Sequence, residues 1–177
     1  MKVHHYSERG LMNALVQAIT SKADGSLLPV MFDNVFSVDS GLRLSYEFLN
    51  LGRPLEVEVF VEPSLSEFGA PDAVILVKGP QGNPIAFYVE AKLCPFFTSS
   101  RQQPKGGTAA YRKNASTILH ELYMKASLHQ ELKTCQDLSA LSFKVYADES
   151  RPRKLGKDPQ VLNLAKRLAK CKAYYLA

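Results

Sequence analysis

No apolar run in this chain approaches the ~20 residues that a helix needs to cross a bilayer. Its first residues, Met1-Lys2-Val3-His4-His5, lead into a polar helix start rather than the apolar core of a signal peptide. No membrane association is expected, and the cytoplasm is the expected location. Cysteine is scarce as well. Cys94, Cys135 and Cys171 are odd in number, widely spaced and without a CxxC pair, so they indicate neither a disulfide framework nor a zinc cluster and read as buried thiols. No GxGxxG, P-loop or GxSxG string occurs, which argues against a small-molecule α/β enzyme of the common classes. Repeats and low-complexity tracts are missing too. What remains is 177 residues, 46% hydrophobic and 22% charged, enough for one domain (1–177) with a proper core.

Charge is distributed unevenly. Residues 1–90 hold six Lys/Arg against eleven Asp/Glu (6 − 11 = −5), whereas residues 91–177 hold sixteen against six (16 − 6 = +10). Such segregation suits a protein that gathers carboxylates around a cation in one part and grips a polyanion with another. Nucleic acid is the expected partner.

Two strings at the edges of apolar runs carry the chemistry. Pro71-Asp72 opens APDAVILV (70–77), and Glu90-Ala91-Lys92 closes IAFYVEAKL (85–93); β-branched and aromatic residues make both runs read as short buried strands. The intervening KGPQGNP is a compact turn signal, so a hairpin places Asp72 beside Glu90. Glu90 and Lys92 are two apart and share a strand face. Charged residues rarely interrupt a buried strand without a partner or a metal. Phosphodiester hydrolysis needs a water-derived nucleophile and neutralisation of the attacked and leaving oxygens, which hard divalent cations provide. Magnesium is held by only one or two carboxylates plus waters and substrate phosphate, a count that Asp72 and Glu90 meet. An ammonium beside it, Lys92, can orient the attacking water or offset developing negative charge.

The PD…ExK pattern at residues 71–92 resembles the PD-(D/E)XK nuclease superfamily. The resemblance implies a restriction-endonuclease-like α/β core, a mixed central sheet of about five strands flanked by helices. It implies Asp72 and Glu90 as acidic metal ligands, the Ala91 carbonyl as a further ligand, Lys92 as catalytic lysine and Mg²⁺ or Mn²⁺ as cofactor. In several branches an acidic residue on the first core helix supplements the metal, a part that falls to Glu8. The helix after the ExK strand borders the active site in this superfamily, which brings Arg112 and Lys113 toward phosphate, with His120 a weaker candidate. The expected function is hydrolysis of DNA by a homodimer or larger complex. The alternative is a catalytically inactive nuclease-fold module that binds nucleic acid or a protein partner.

The rest of the pattern is consistent with that order. Ser7 caps a helix through about Ile19. Leu42–Phe48 and Leu55–Val61 alternate with period two and read as an antiparallel pair, with Glu56, Glu58 and Glu62 on the wet face; Glu67 is a further candidate ligand. The loop CPFFTSSRQQPKGGT carries Arg101 and Lys105 as phosphate contacts. A long helix to about Thr134 shows an apolar stripe of Tyr111, Ala115, Ile118, Leu119, Leu122 and Ala126. Leu141–Ala147 reads as a fifth strand, and Asp158-Pro159 starts a last, lysine-decorated helix. The ending AYYLA reads as the start of another strand, an expectation that the chain is the N-terminal part of a longer protein.

Overall fold

The computed structural model describes residues 8–21, 26–33, 35, 41, 43–90 and 107–176; of the side chains at 8, 9, 11, 12, 15, 20, 42 and 107–117 nothing is described. Helices α1 (Glu8–Thr20), α2 (Leu28–Met31) and α3 (Ser45–Leu51) precede strands β1 (Glu56–Val61), β2 (Ala73–Lys78) and β3 (Ile85–Val89). Then come α4 (Gly107–Thr134), the short strands β4 (Ser142–Phe143) and β5 (Arg153–Lys154), α5 (Pro159–Leu168) and β6 (Lys172–Leu176).

The central sheet has the order β1-β2-β3-β6; the first three strands are antiparallel to their neighbours and β6 joins β3 in parallel. Among the described residues this is a mixed four-stranded α/β sheet flanked by helices, not one of five strands. The expected strand Leu141–Ala147 contributes only β4, which pairs with β5 in a separate ribbon. It stops there because Glu149 accepts the Val145 N–H at 2.9 Å and turns the chain away. The expected strand Leu42–Phe48 is also corrected: its second half is α3, with Ser45, Phe48 and Leu51 buried. Leu44, Phe48 and Leu51 fit helical spacing as well as Leu44, Tyr46 and Phe48 fit a strand, and Tyr46 is 53% exposed. The helix ends at Gly52, φ +71°.

Strand alternation sorts the core into two layers. Ile75, Val77, Ile85 and Phe87 pack with Ile19, Leu28, Phe32, Phe48 and Leu51 of the α1–α3 side. Val74, Leu76, Ala86 and Tyr88 pack with Met124, Leu128 and Leu132 of α4 and Val161, Leu164 and Leu168 of α5. Phe87 anchors the first layer, stacking on Phe32 and Tyr174. The hairpin end of β2 lies so close to α3 that a Cβ on Gly79 would stand 2.1 Å from the Leu51 carbonyl oxygen, so only glycine fits there. Asp158 caps α5, accepting N–H bonds from Gln160 at 2.7 Å and Val161 at 3.4 Å, with Pro159 at the first helical position as expected. Among the described residues no helix is long and apolar enough to cross a membrane.

Candidate active site

Ala73 of β2 faces Val89 of β3, so the next facing positions are Asp72 and Glu90. Both remain tied to the outer strands: Glu62 N–H donates to the Asp72 carbonyl at 3.0 Å, and Glu90 N–H to the Leu176 carbonyl at 2.9 Å. Continued alternation puts Asp72 on the face of Val74, and Glu90 on that of Tyr88, toward α4. The two carboxylates named from sequence therefore meet at one end of two central strands.

Two residues of α4 join them. Lys125 is 1% exposed and Glu90 2%, with Lys125 Nζ 3.4 Å from Glu90 Oε1. Glu121, one turn earlier on the helix, hydrogen-bonds the Glu90 side chain. Two carboxyl groups share such a bond only when one carries the proton. Burial pushes the Glu90 carboxyl up to about 7, Lys125 opposes this, and the hydrogen bond and charge of Glu121 and the charge of Asp72 add to it. Glu90 Oε1 is itself buried without a hydrogen-bond partner. The Lys125 ammonium offsets part of the charge on that oxygen, and a proton or a metal cation would offset the rest.

The loop before Asp72 is shaped to admit the lysine. Gly69 has φ +81°, and a Cβ there would lie 3.0 Å from Lys125 Nζ; any side chain would be strained by the backbone and crowd the ammonium. The β4–β5 ribbon fixes this loop. Arg151 donates to Glu67 Oε1 at 2.8 Å, the Lys154 N–H to Glu67 Oε2 at 2.8 Å, Arg153 to the Glu67 carbonyl at 2.7 Å and the Gly156 N–H to Ser66 Oγ at 2.6 Å. Glu67, a candidate ligand from sequence, is thus committed to holding the loop. Its carboxyl is kept below the ordinary range first by the Arg151 hydrogen bond and then by the Lys154 N–H.

The other expected residues separate from this centre or fall beyond description. Ala91, Lys92, Arg101 and Lys105 lie outside the described residues; Glu8 opens α1, and Arg112 and Lys113 lie on α4, with side chains not described. His120 stacks on Tyr146, whose hydroxyl lies 2.8 Å from His120 Nδ1, in a contact with the ribbon. Glu56 and Glu58 are exposed, as expected, and Glu58 pairs with Arg167. His129 is a buried core group. Its Nε2 lies 3.1 Å from the Cys171 carbonyl, which only a donating N–H satisfies, so Nδ1 accepts from the Tyr88 hydroxyl at 3.1 Å. Burial, assisted by Lys133, lowers its pKa and keeps it neutral.

Sequence reasoning missed Glu121 and Lys125. A Glu–Lys pair four apart on a helix reads as a solvated surface pair. The expected stripe through Leu119 was out of phase: Leu119 is 69% exposed, and the buried side is Met124, Lys125, Leu128, His129 and Leu132. The signal was present, because Lys125 is three and seven residues from Leu128 and Leu132.

Among the described residues no group of three or more His, Cys, Asp or Glu has a metal-holding arrangement. A divalent cation nevertheless fits the donor chemistry: Asp72 and Glu90, whose Oε1 makes no hydrogen bond and meets only the Lys125 ammonium, would supply two hard oxygens, the number that magnesium takes from protein when water and phosphate complete its shell. No family model, curated protein or solved structure matches this chain.

Proposed function

We propose that this chain is a metal-dependent nuclease of the PD-(D/E)XK type with a restriction-endonuclease-like core, hydrolysing phosphodiester bonds of DNA. One observation carries the reading: a buried glutamate whose Oε1 makes no hydrogen bond and meets only the Lys125 ammonium, directly across from an aspartate on the adjacent strand, inside a cluster of three carboxyls and one ammonium. Asp72, half-buried, and Glu90 would hold Mg²⁺ or Mn²⁺. The bound cation would supply an acidified water and neutralise charge on the scissile phosphate. Lys125 offsets part of the carboxylate charge and holds the Glu90 head group through its ion pair. Glu121 shares a proton with Glu90 when no cation is bound. Lys92, two residues after Glu90, is the proposed group that orients the attacking water. The +10 excess of residues 91–177 supports sequence-independent grip on the phosphate backbone.

The test is cleavage of single- and double-stranded DNA and RNA with Mg²⁺ and with Mn²⁺. Wild type is expected to cut DNA, and Asp72→Asn and Lys92→Ala to lose on the order of a hundred- to thousandfold in rate while staying folded. Wild-type protein inert on all four substrates with both metals would overturn the assignment. One observation favours a second reading, a non-catalytic nuclease-fold module. The Glu90–Lys125 pair is almost completely buried, and its ammonium lies against the oxygen that a metal would take. That reading predicts DNA binding that is unchanged by metal and by Asp72→Asn.

A further inference from the structure

At the opposite end of the sheet from Asp72 and Glu90, the protein has a polar cavity of about 450 Å³, walled by four separate chain segments. The last turn of α4 contributes Lys133, the turn after α5 Lys170, the first residue of β6 Lys172, the β2–β3 turn Asn83 and the end of α3 Glu47 and Asn50. Among the described residues three ammonium groups thus face one carboxylate, 3 − 1 = +2. These segments are locked together around the space: Lys172 N–H donates to the Pro84 carbonyl at 2.8 Å and Gln81 N–H to the Leu51 carbonyl at 3.0 Å.

The charges are not self-compensated. Glu47 is fully engaged by Lys172, at 2.9 Å. Burial pushes the Glu47 carboxyl up, but the hydrogen bonds with Lys172 and Tyr174 outweigh it and keep the group ionised. The pair fixes the Lys172 head group at the cavity wall. Lys133 and Lys170 have no ion-pair partner among the described residues, although they share the cavity. Two like charges on one small cavity repel each other unless an anion lies between them.

We propose that this cavity binds a phosphate group. Phosphate carries about −1.5 to −2 charges at neutral pH and offers only acceptor oxygens. It therefore matches a net +2 wall whose neutral polar side chains, Asn50 and Asn83, supply amide donors. Lysines suit a multi-oxygen anion approached from several directions, whereas a lone carboxylate is better served by the fork of an arginine; among the described residues no arginine lines the cavity. Its volume lies within the range of small-ligand sites, so more than one phosphate, as in a diphosphate, is accommodated. The site is independent of the nuclease reading and stands whether or not Asp72 and Glu90 take metal.

The phosphate can come from a free phosphorylated small molecule or from a nucleic-acid backbone, and the experiment separates the two. Full-length wild type and Lys133→Glu/Lys170→Glu are titrated in EDTA with inorganic pyrophosphate and with a short DNA duplex. Lys144→Glu/Lys157→Glu, an equal charge change at exposed lysines elsewhere, is the control. Pyrophosphate binding weakened about tenfold or more by the first double variant and little by the control assigns a small-molecule phosphate site. If only duplex binding shows that selective loss, the backbone is the source. Equal behaviour of the two double variants with both probes overturns the proposal. Because both targeted lysines are exposed, an unchanged unfolding midpoint is expected and accompanies each titration.

Discussion

On the face of the sheet covered by α1, α2 and α3, Ile75, Val77, Ile85 and Phe87 enter a cluster built from aliphatic and aromatic side chains. On the face under α4 and α5 the same strands present Tyr88 to His129 and Glu90 to Lys125, so three of the four buried polar or charged residues among those described lie there. The two faces teach different things. Burial on the first is nearly pure gain, worth about 25 cal/mol per Å² of apolar surface. On the second, each buried polar group imposes a desolvation cost that its partner only partly offsets. A buried acid–base cluster that is so weakly justified by stability is what a site for a charged ligand looks like, and that contrast underlies the nuclease proposal.

The contrast can be broken by substitution. Phe87→Ala, in the fully buried aromatic stack, is expected to lose about 3–5 kcal/mol in urea unfolding, with residual metal affinity unchanged in whatever fraction stays folded. Lys125→Met should cost about 3 kcal/mol, the low end for a broken buried pair because Glu90 can take up a proton. Glu90→Leu/Lys125→Met should recover most of that loss or exceed wild type in stability while abolishing Mn²⁺ binding. A double variant as unstable as the single one would mean that the pair is structural. Tyr88→Phe leaves His129 Nδ1 without its donor and should cost about 1–3 kcal/mol by denaturant titration.

The subtlest effect is on pH dependence. Because folding raises the Glu90 carboxyl from 4.5 to about 7, its contribution to stability is complete below pH 4.5 and is lost as pH rises through about 7. Glu90→Gln should flatten that part of the stability profile. Matching slopes for wild type and Glu90→Gln between pH 4.5 and 7 would contradict the shift.

Much of this was legible in the chain itself. The runs around Asp72 and Glu90 are so rich in β-branched residues, and KGPQGNP so strong a turn, that the hairpin and the facing of the two acids followed directly. α1, α4, α5 and the final strand were also foreseen within a few residues. Two failures came from reading the apolar pattern alone, one in its period and one in its phase. Leu44, Phe48 and Leu51 served a helix where alternation suggested a strand, and α4 buries Lys125 and His129 in its stripe, where polar identity hid their phase. The ribbon failed for another reason: Glu149 ends β4 by a side-chain bond that no propensity encodes. Glu121 and Lys125 become neighbours of Glu90 only through helix-to-sheet packing.

The most direct test is calorimetric titration of Mn²⁺ into wild type, Asp72→Asn and Glu90→Gln at pH 7.5, with circular dichroism to show that each is folded. One saturable site in wild type, weakened about tenfold or more by either substitution, is the predicted result. Absence of that site in wild type, or equal affinity in all three proteins, would contradict the claim that Asp72 and Glu90 together hold a divalent cation.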